Sequence, residues 1–164
     1  MNTTEAIRAR RSVRKFKPAA EISPKQVELM LEAAMMAPSA KNQRPWEFVV
    51  VRDRKKIDAF ADAHPFAKML FCAPLAIVVM GLPEVNADCF PLDCGAAVQN
   101  ILLQAATLGL GTCWISAYPY PERMDFARKS FGIEGTPFCV IAVGVPDEAP
   151  KAKGFFDPEK VKYI

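Results

Sequence analysis

The residues best equipped for chemistry in this sequence form a grip for phosphate. Arg10, Arg11, Ser12 and Arg14 fall within five positions, and guanidinium forks flanking a hydroxyl supply directed donors that match phosphate oxygens. They lie in RARRSVRKF (8–16), which holds five basic side chains and no acid. A run of that kind suits a nucleic acid, a membrane surface, an import receptor or a small phosphorylated ligand. The rest of the chain narrows the choice. Of 21 basic residues five lie here, leaving 16 against 18 acidic ones. The positive charge is therefore local, which favours a focused site over a broad nucleic-acid face. Within the run, Arg8 and Lys15 read as solvated surface, while the other four leave a helix end together.

A second stretch, APSAKNQRPWEF (37–48), sets Ser39, Asn42, Gln43 and Arg44 within six residues. Side-chain amides pair with the alternating donors and acceptors of a heterocycle edge. The same stretch also reads as a plain connector between Pro38 and Pro45. Gly109-x-Gly111 resembles a dinucleotide turn, but it closes a helix and opens a strand, the reverse of the order a phosphate turn needs, so it reads as a helix stop. There is no GxxxxGK[ST], GxSxG or HExxH. His64, the single histidine, ends a charged helix before Pro65 and reads as a solvated residue favourable to the helix dipole. Hydrolytic triads and zinc chemistry lose most of their support, and Cys89 with Cys94 lacks a second ligand pair, so no metal site is expected. An enzyme built from this chain would draw its chemistry from a cofactor.

The elements that must position these residues are legible. The 164 residues, 51% of them hydrophobic, fit one globular domain spanning 1–164. No apolar run approaches the about 20 residues that span a bilayer, so no membrane partner is expected. Glu5 and a well-formed helix start argue against a transit peptide. Five cysteines without CxxC spacing read as reduced core residues of a cytoplasmic protein. Asn2 with Glu5 predicts a capped helix from Thr3, and Ser23-Pro24 with Gln26 predicts another that runs until Pro38. WEFVVVRD (46–53) and LAIVVMGL (75–82) read as strands flanking a charged helix. Residues 94–111 read as a buried helix, TCWIS (112–116) as a strand, Pro121 to Phe131 as a helix closed by Gly132, and FCVIAVGVP (138–146) as a last strand. Strands alternating with helices give an α/β or α+β three-layer domain on a four- or five-stranded sheet. A helix as apolar as 94–110 needs cover on every side, from its own core or from a second subunit.

Taken together, these residues resemble the FMN-dependent nitroreductase family. RARRSVRKFK is similar to its N-terminal R-R/H-S-x-R/K-x-F element, APSAKNQRPWEFVVV to its A-P-S/T-x-x-N-x-Q-P-W element, and DCGAAVQNILLQAATLGLGTCWIS to its long central helix and following strand. The resemblance covers most of the chain in the right order. It implies an α+β, nitroreductase-like fold with a mainly antiparallel four- to five-stranded sheet, and an intertwined homodimer sharing two FMN sites, with the tail, about 147–164, extended over the partner subunit. It implies that Arg10, Arg11, Ser12 and Arg14 hold the phosphate, ribityl chain and pyrimidine side of FMN, completed by Lys151 and Lys153. It implies further that Pro38, Ser39, Ala40, Asn42 and Gln43 line the partner's site, and that Trp114, Ile115, Ser116 and Ala117 pass the redox edge with a backbone N–H near N5.

This chain departs from the pattern in several places. Arg44 replaces the Gln before Pro-Trp, which leaves the amide role to Gln43 or changes the contact. Lys153 stands where Arg is common, exchanging a fork for a point charge. The Glu-Gly of larger members is missing after Ile115, and so is the helical insertion that covers their site, so the resemblance implies a more open pocket. The expected function is NAD(P)H oxidation, with NADH or NADPH as donor and a nitroaromatic, a quinone or a related small-molecule acceptor as partner. No catalytic side chain is required, because hydride passes through flavin N5. A flavin-binding module with a regulatory or storage role is the alternative, and nucleic-acid binding through the basic run a third reading that rests on charge alone.

Overall fold

A computed structural model describes residues 1–18 and 20–164. Among them no helix is long and apolar enough to cross a membrane. The fold is α+β. Four strands, β1 (Trp46–Val51), β2 (Leu75–Gly81), β3 (Gly111–Ser116) and β4 (Thr136–Gly144), form one sheet in the order β1-β2-β4-β3. Every pairing is antiparallel, which resolves the expected four or five strands to four. Because β3 sits at an edge, one side of its backbone is left free to pair with something other than the sheet.

Side chains alternate across the sheet and build two cores. Leu75, Ile77 and Val79 of β2, with Ile141 and Val143 of β4, face α2 (Pro24–Met35) and α4 (Phe90–Thr107). Ala76, Val78, Val140 and Ala142 face α3 (Arg54–Ala63), α5 (Pro121–Phe131) and the short turn Lys68–Phe71. The helix starts follow from local chemistry. Asn2 and Glu5 exchange backbone bonds at 2.8 and 3.0 Å ahead of α1 (Thr3–Ala9), and Ser23 with Gln26 does the same for α2. Gly132 ends α5 at φ 67°, and Gly109 follows α4 at φ 72°, both in the left-handed region that glycine enters without a Cβ penalty.

Two elements begin earlier than the sequence suggests. α4 starts at Phe90, ahead of the apolar run, with Pro91 in the first turn, where its missing N–H costs nothing, and Asp93 beside the positive helix end. β4 starts at Thr136 and includes Pro137 in a central strand; the register to β2 shifts between Val79 and Met80, opposite that proline. Eight of the 18 residues of α4 are buried by its own chain, where the sheet, α1 and α2 pack against it, and Leu92 is an exposed large apolar side chain on it. Other exposed apolar groups lie elsewhere, among them Met35 and Met36, Phe66 and Phe71 after α3, and Phe155, Phe156 and Tyr163 on the tail.

Candidate functional site

The basic arm is fastened to the sheet edge. Val13 N–H donates to the Thr112 carbonyl at 2.9 Å, Lys17 N–H to Val145 at 3.0 Å, and Asp147 N–H to Lys15 at 2.9 Å. Gly111 and Gly144 are partners across β3 and β4. A Cβ on Gly111 would come within 2.9 Å of Val13, and one on Gly144 within 2.7 Å of the Phe16 ring. The two glycines thus make room for the two buried side chains that bracket Arg14 and Lys15, whose own side chains are exposed. Glu148 accepts the backbone N–H groups of both Arg14 and Lys15 and holds the turn between them.

Arg10, Arg11, Ser12 and Arg14 line one groove of about 270 Å³ together with Lys151 and Lys153. Five cationic side chains and no carboxylate line it, so it concentrates positive potential where a phosphate would sit. Arg8 lies outside the groove, exposed on α1.

Arg14 also lines a larger cleft of about 700 Å³ over the free edge of β3, and so borders both spaces. Trp114, Ile115 and Ser116 form one wall of the cleft. The Thr112 carbonyl points off the sheet to Val13, and backbone direction alternates along a strand, so Trp114 and Ser116 also turn their N–H and C=O groups to the free edge. Ala117 differs. It is fully buried and its N–H donates to Phe138 at 3.1 Å, so among these residues the edge amides available to a ligand are those of Trp114 and Ser116.

The opposite wall was not foreseen. His64 is 1% exposed, against the expectation of a solvated helix end. The chain turns back at Pro65 and folds the ring under β3 among Phe60, Phe66 and Phe126. Its Nδ1 accepts the Phe66 N–H at 3.2 Å, so Nε2 carries the proton and donates to the Ser116 carbonyl at 3.2 Å. Burial lowers its pKa; the Ser116 bond opposes this, and the charge of Arg123 adds to it. Lys68 takes the helix-end role instead, donating to the carbonyls of Ala61 at 2.9 Å and Asp62 at 3.3 Å. Arg123 of α5 stacks on Tyr120 at 4.1 Å and Phe66 at 5.3 Å. Phe66, Lys68 and Arg123 carry no local motif, and only the folded chain brings them to one cleft.

Neither cavity contains Pro38, Ser39, Ala40, Asn42 or Gln43. Within one chain these residues form a separate loop with left-handed residues at Lys41, Asn42 and Arg44. The loop is held from within. Ser39 Oγ accepts the Arg44 N–H at 3.0 Å, Asn42 accepts Arg44 Nε at 3.1 Å, and Asp93 of α4 accepts the Ala40 N–H at 3.1 and 3.2 Å. Gln43 is engaged at both ends, donating to Val85 at 3.3 Å and accepting from Asn86 at 2.9 Å. These bonds orient its exposed amide and leave one N–H and one lone pair of it open.

Fold and site define a class: an antiparallel α+β domain that presents an anion-ready groove beside the open edge of its sheet. The sequence model of the nitroreductase family matches residues 7–64 and 64–145, and the chain belongs to that family. It is 39% identical over 165 residues to a Methanothermobacter thermautotrophicus protein named as an NADH dehydrogenase/NAD(P)H nitroreductase, covering 98% of this chain and 86% of that one. The structure of an FMN-dependent nitroreductase from Clostridium difficile R20291 superposes with a TM-score of 0.88 at 32% identity, covering 96% of each chain. A Desulfovibrio desulfuricans nitroreductase in complex with FMN superposes with a TM-score of 0.86 at 29% identity, covering 100% of this chain and 97% of that one.

Proposed function

We propose that the protein is an FMN-dependent NAD(P)H oxidoreductase that reduces nitroaromatics, quinones or related acceptors. The observation that carries this reading is that Arg14 lines both spaces: a groove of cations suited to a phosphate lies beside a cleft walled by the free edge of β3, where the N–H groups of Trp114 and Ser116 face out. That is the demand FMN makes, a dianion at one end and a planar heterocycle with a donor and acceptor edge at the other. The FMN complex of the Desulfovibrio desulfuricans relative supports the same ligand here.

Arg10, Arg11, Ser12, Lys151 and Lys153 would hold the phosphate. Arg14, which lines both spaces, would add positive charge beside the ring. The free edge of β3 would help to orient it. When bound, FMN would supply the two-electron chemistry between NADH or NADPH and the second substrate. Donor and acceptor would use the 700 Å³ cleft in turn, which predicts ping-pong kinetics. His64 is held neutral and bonded on both ring nitrogens, so it positions Ser116 and leaves proton delivery to solvent.

The reading includes a homodimer. The loop at Pro38–Gln43 lies outside the groove and the cleft of its own chain and would complete the partner's site, while the exposed aromatic tail at 147–164 would lie over the partner subunit. Free buried thiols suit a reducing cytoplasm.

The purified protein is expected to be yellow, or to take up added FMN, and to oxidise NADH or NADPH when a nitroaromatic is present. Arg10→Ala with Arg14→Ala is expected to weaken FMN binding more than tenfold, about the contribution of one or two charge-assisted bonds, with an unchanged circular dichroism spectrum. A colourless protein that binds no FMN overturns the reading. Bound FMN that stays oxidised under both nicotinamides would instead mark a flavin-binding module with a storage or regulatory role.

A further inference from the structure

We propose that Arg123 makes the cleft selective for planar aromatic acceptors bearing a carboxylate. This rests on the reading of the cleft as the acceptor's place. Three cationic side chains line it, Arg14, Lys68 and Arg123, and no carboxylate does. Their commitments differ. Arg14 belongs equally to the phosphate groove, and Lys68 is bonded to the end of α3. The Arg123 side chain makes no hydrogen bond or ion pair among the described residues. Its neighbour on α5, Arg128, is by contrast tied to Asp125 at 2.7 Å and to the Gly135 carbonyl at 2.8 Å.

Stacking replaces those bonds. Tyr120 and Phe66 hold the guanidinium at 4.1 and 5.3 Å, which fixes its position and leaves its N–H groups for a ligand. Phe66 is 64% exposed and offers an aromatic surface beside that charge. A ring carrying a carboxylate can meet both, the ring against Phe66 and the carboxylate on the fork. The neighbouring imidazole contributes no competing charge, since both of its nitrogens are occupied in the neutral form. The apolar side chains of Phe66 and Met69 also line the cleft and offer surface for the ring of such an acceptor.

The test compares 4-nitrobenzoate with 4-nitrobenzamide, near-isosteres that differ in charge. In the FMN-loaded protein, kcat/KM is expected to favour the benzoate about tenfold, the value of one charge-assisted contact. Arg123→Gln should bring the ratio near one, and Arg123→Lys should fall between. Lys129→Gln, an exposed charge on the same helix, should leave the ratio in place. Saturation-transfer NMR on the protein as purified gives the ratio of affinities for the same pair without turnover. A wild-type ratio near one, or a preference that survives Arg123→Gln, overturns the proposal. So does a change confined to the KM for NADPH, which would assign the cation to the donor's phosphate. If the protein neither holds FMN nor oxidises NAD(P)H, the oxidoreductase reading fails, and the NMR ratio still decides whether Arg123 selects the carboxylate.

Discussion

His64 Nε2 donates to the Ser116 carbonyl at 3.2 Å, while Nδ1 accepts from Phe66, so one neutral ring ties the end of α3 to the end of β3. Protonation would put a donor against the Phe66 N–H. The folded-state pKa lies below the ordinary 6.5, so as pH falls the unfolded chain takes up the proton first. The His64 contribution is therefore complete above about pH 6.5, declines as pH drops toward the lowered folded value, and is flat below it. Urea midpoints between pH 7.5 and 5.5 should fall for the wild type and fall less for His64→Gln. Equal declines would refute the role given to this ring.

The thiols should separate sharply in reactivity. Burial, with the charge of Asp93 adding to it, pushes Cys94 up to about 12. Burial also raises Cys113 and Cys139, so all three stay protonated near neutral pH. Cys72 is exposed and lines the cleft. Iodoacetamide at pH 8 followed by peptide mapping should label Cys72 first and leave Cys94, Cys113 and Cys139 unlabelled until denaturant is added. A ligand filling the cleft should slow Cys72 labelling.

Gly144→Ala would place a methyl group 2.7 Å from the Phe16 ring, and the arm must shift to admit it. Overpacking of this kind costs about 1–3 kcal/mol. Stability should fall by that amount in urea denaturation, and FMN affinity should fall with it, because Arg14 moves with Phe16.

Asp93→Ala removes the carboxylate that accepts the Ala40 N–H and stands in the first turn of α4. A loss of about 1–3 kcal/mol is expected from the bond and the helix-end charge. In the proposed dimer the variant should also bind FMN more weakly although the basic groove is intact. Unchanged flavin affinity would count against a shared site.

Much of the fold is written in local signals. Asn2, Ser23, Gly109 and Gly132 mark helix ends through interactions within a few residues, and the Val- and Ile-rich runs of β2 and β4 show as strands because both their faces are buried. The N-terminal side of the basic groove was legible for the same reason, since Arg10, Arg11, Ser12 and Arg14 lie in one continuous run. The second wall of the cleft was not. His64, Phe66 and Arg123 come from two elements far apart in the chain, and no spacing rule ties a residue of α5 to the turn after α3. His64 misled most, because a histidine before proline at a helix end looks the same in sequence whether the ring faces water or folds under a strand. The bonds that orient Gln43 come from Val85 and Asn86, more than forty residues along the chain, and no local signal points to them.

The facing glycines of β3 and β4 have a consequence at the scale of the whole chain. They let the first and last parts of the polypeptide cross the same sheet edge, Arg10 to Arg14 on one side and Lys151 with Lys153 on the other. A dianion seated between them would act as a buckle, joining two chain ends that are otherwise held by a few backbone bonds. Loaded and empty protein should thus differ most at their termini, and the tightness of the ligand and the order of those ends become a single linked quantity.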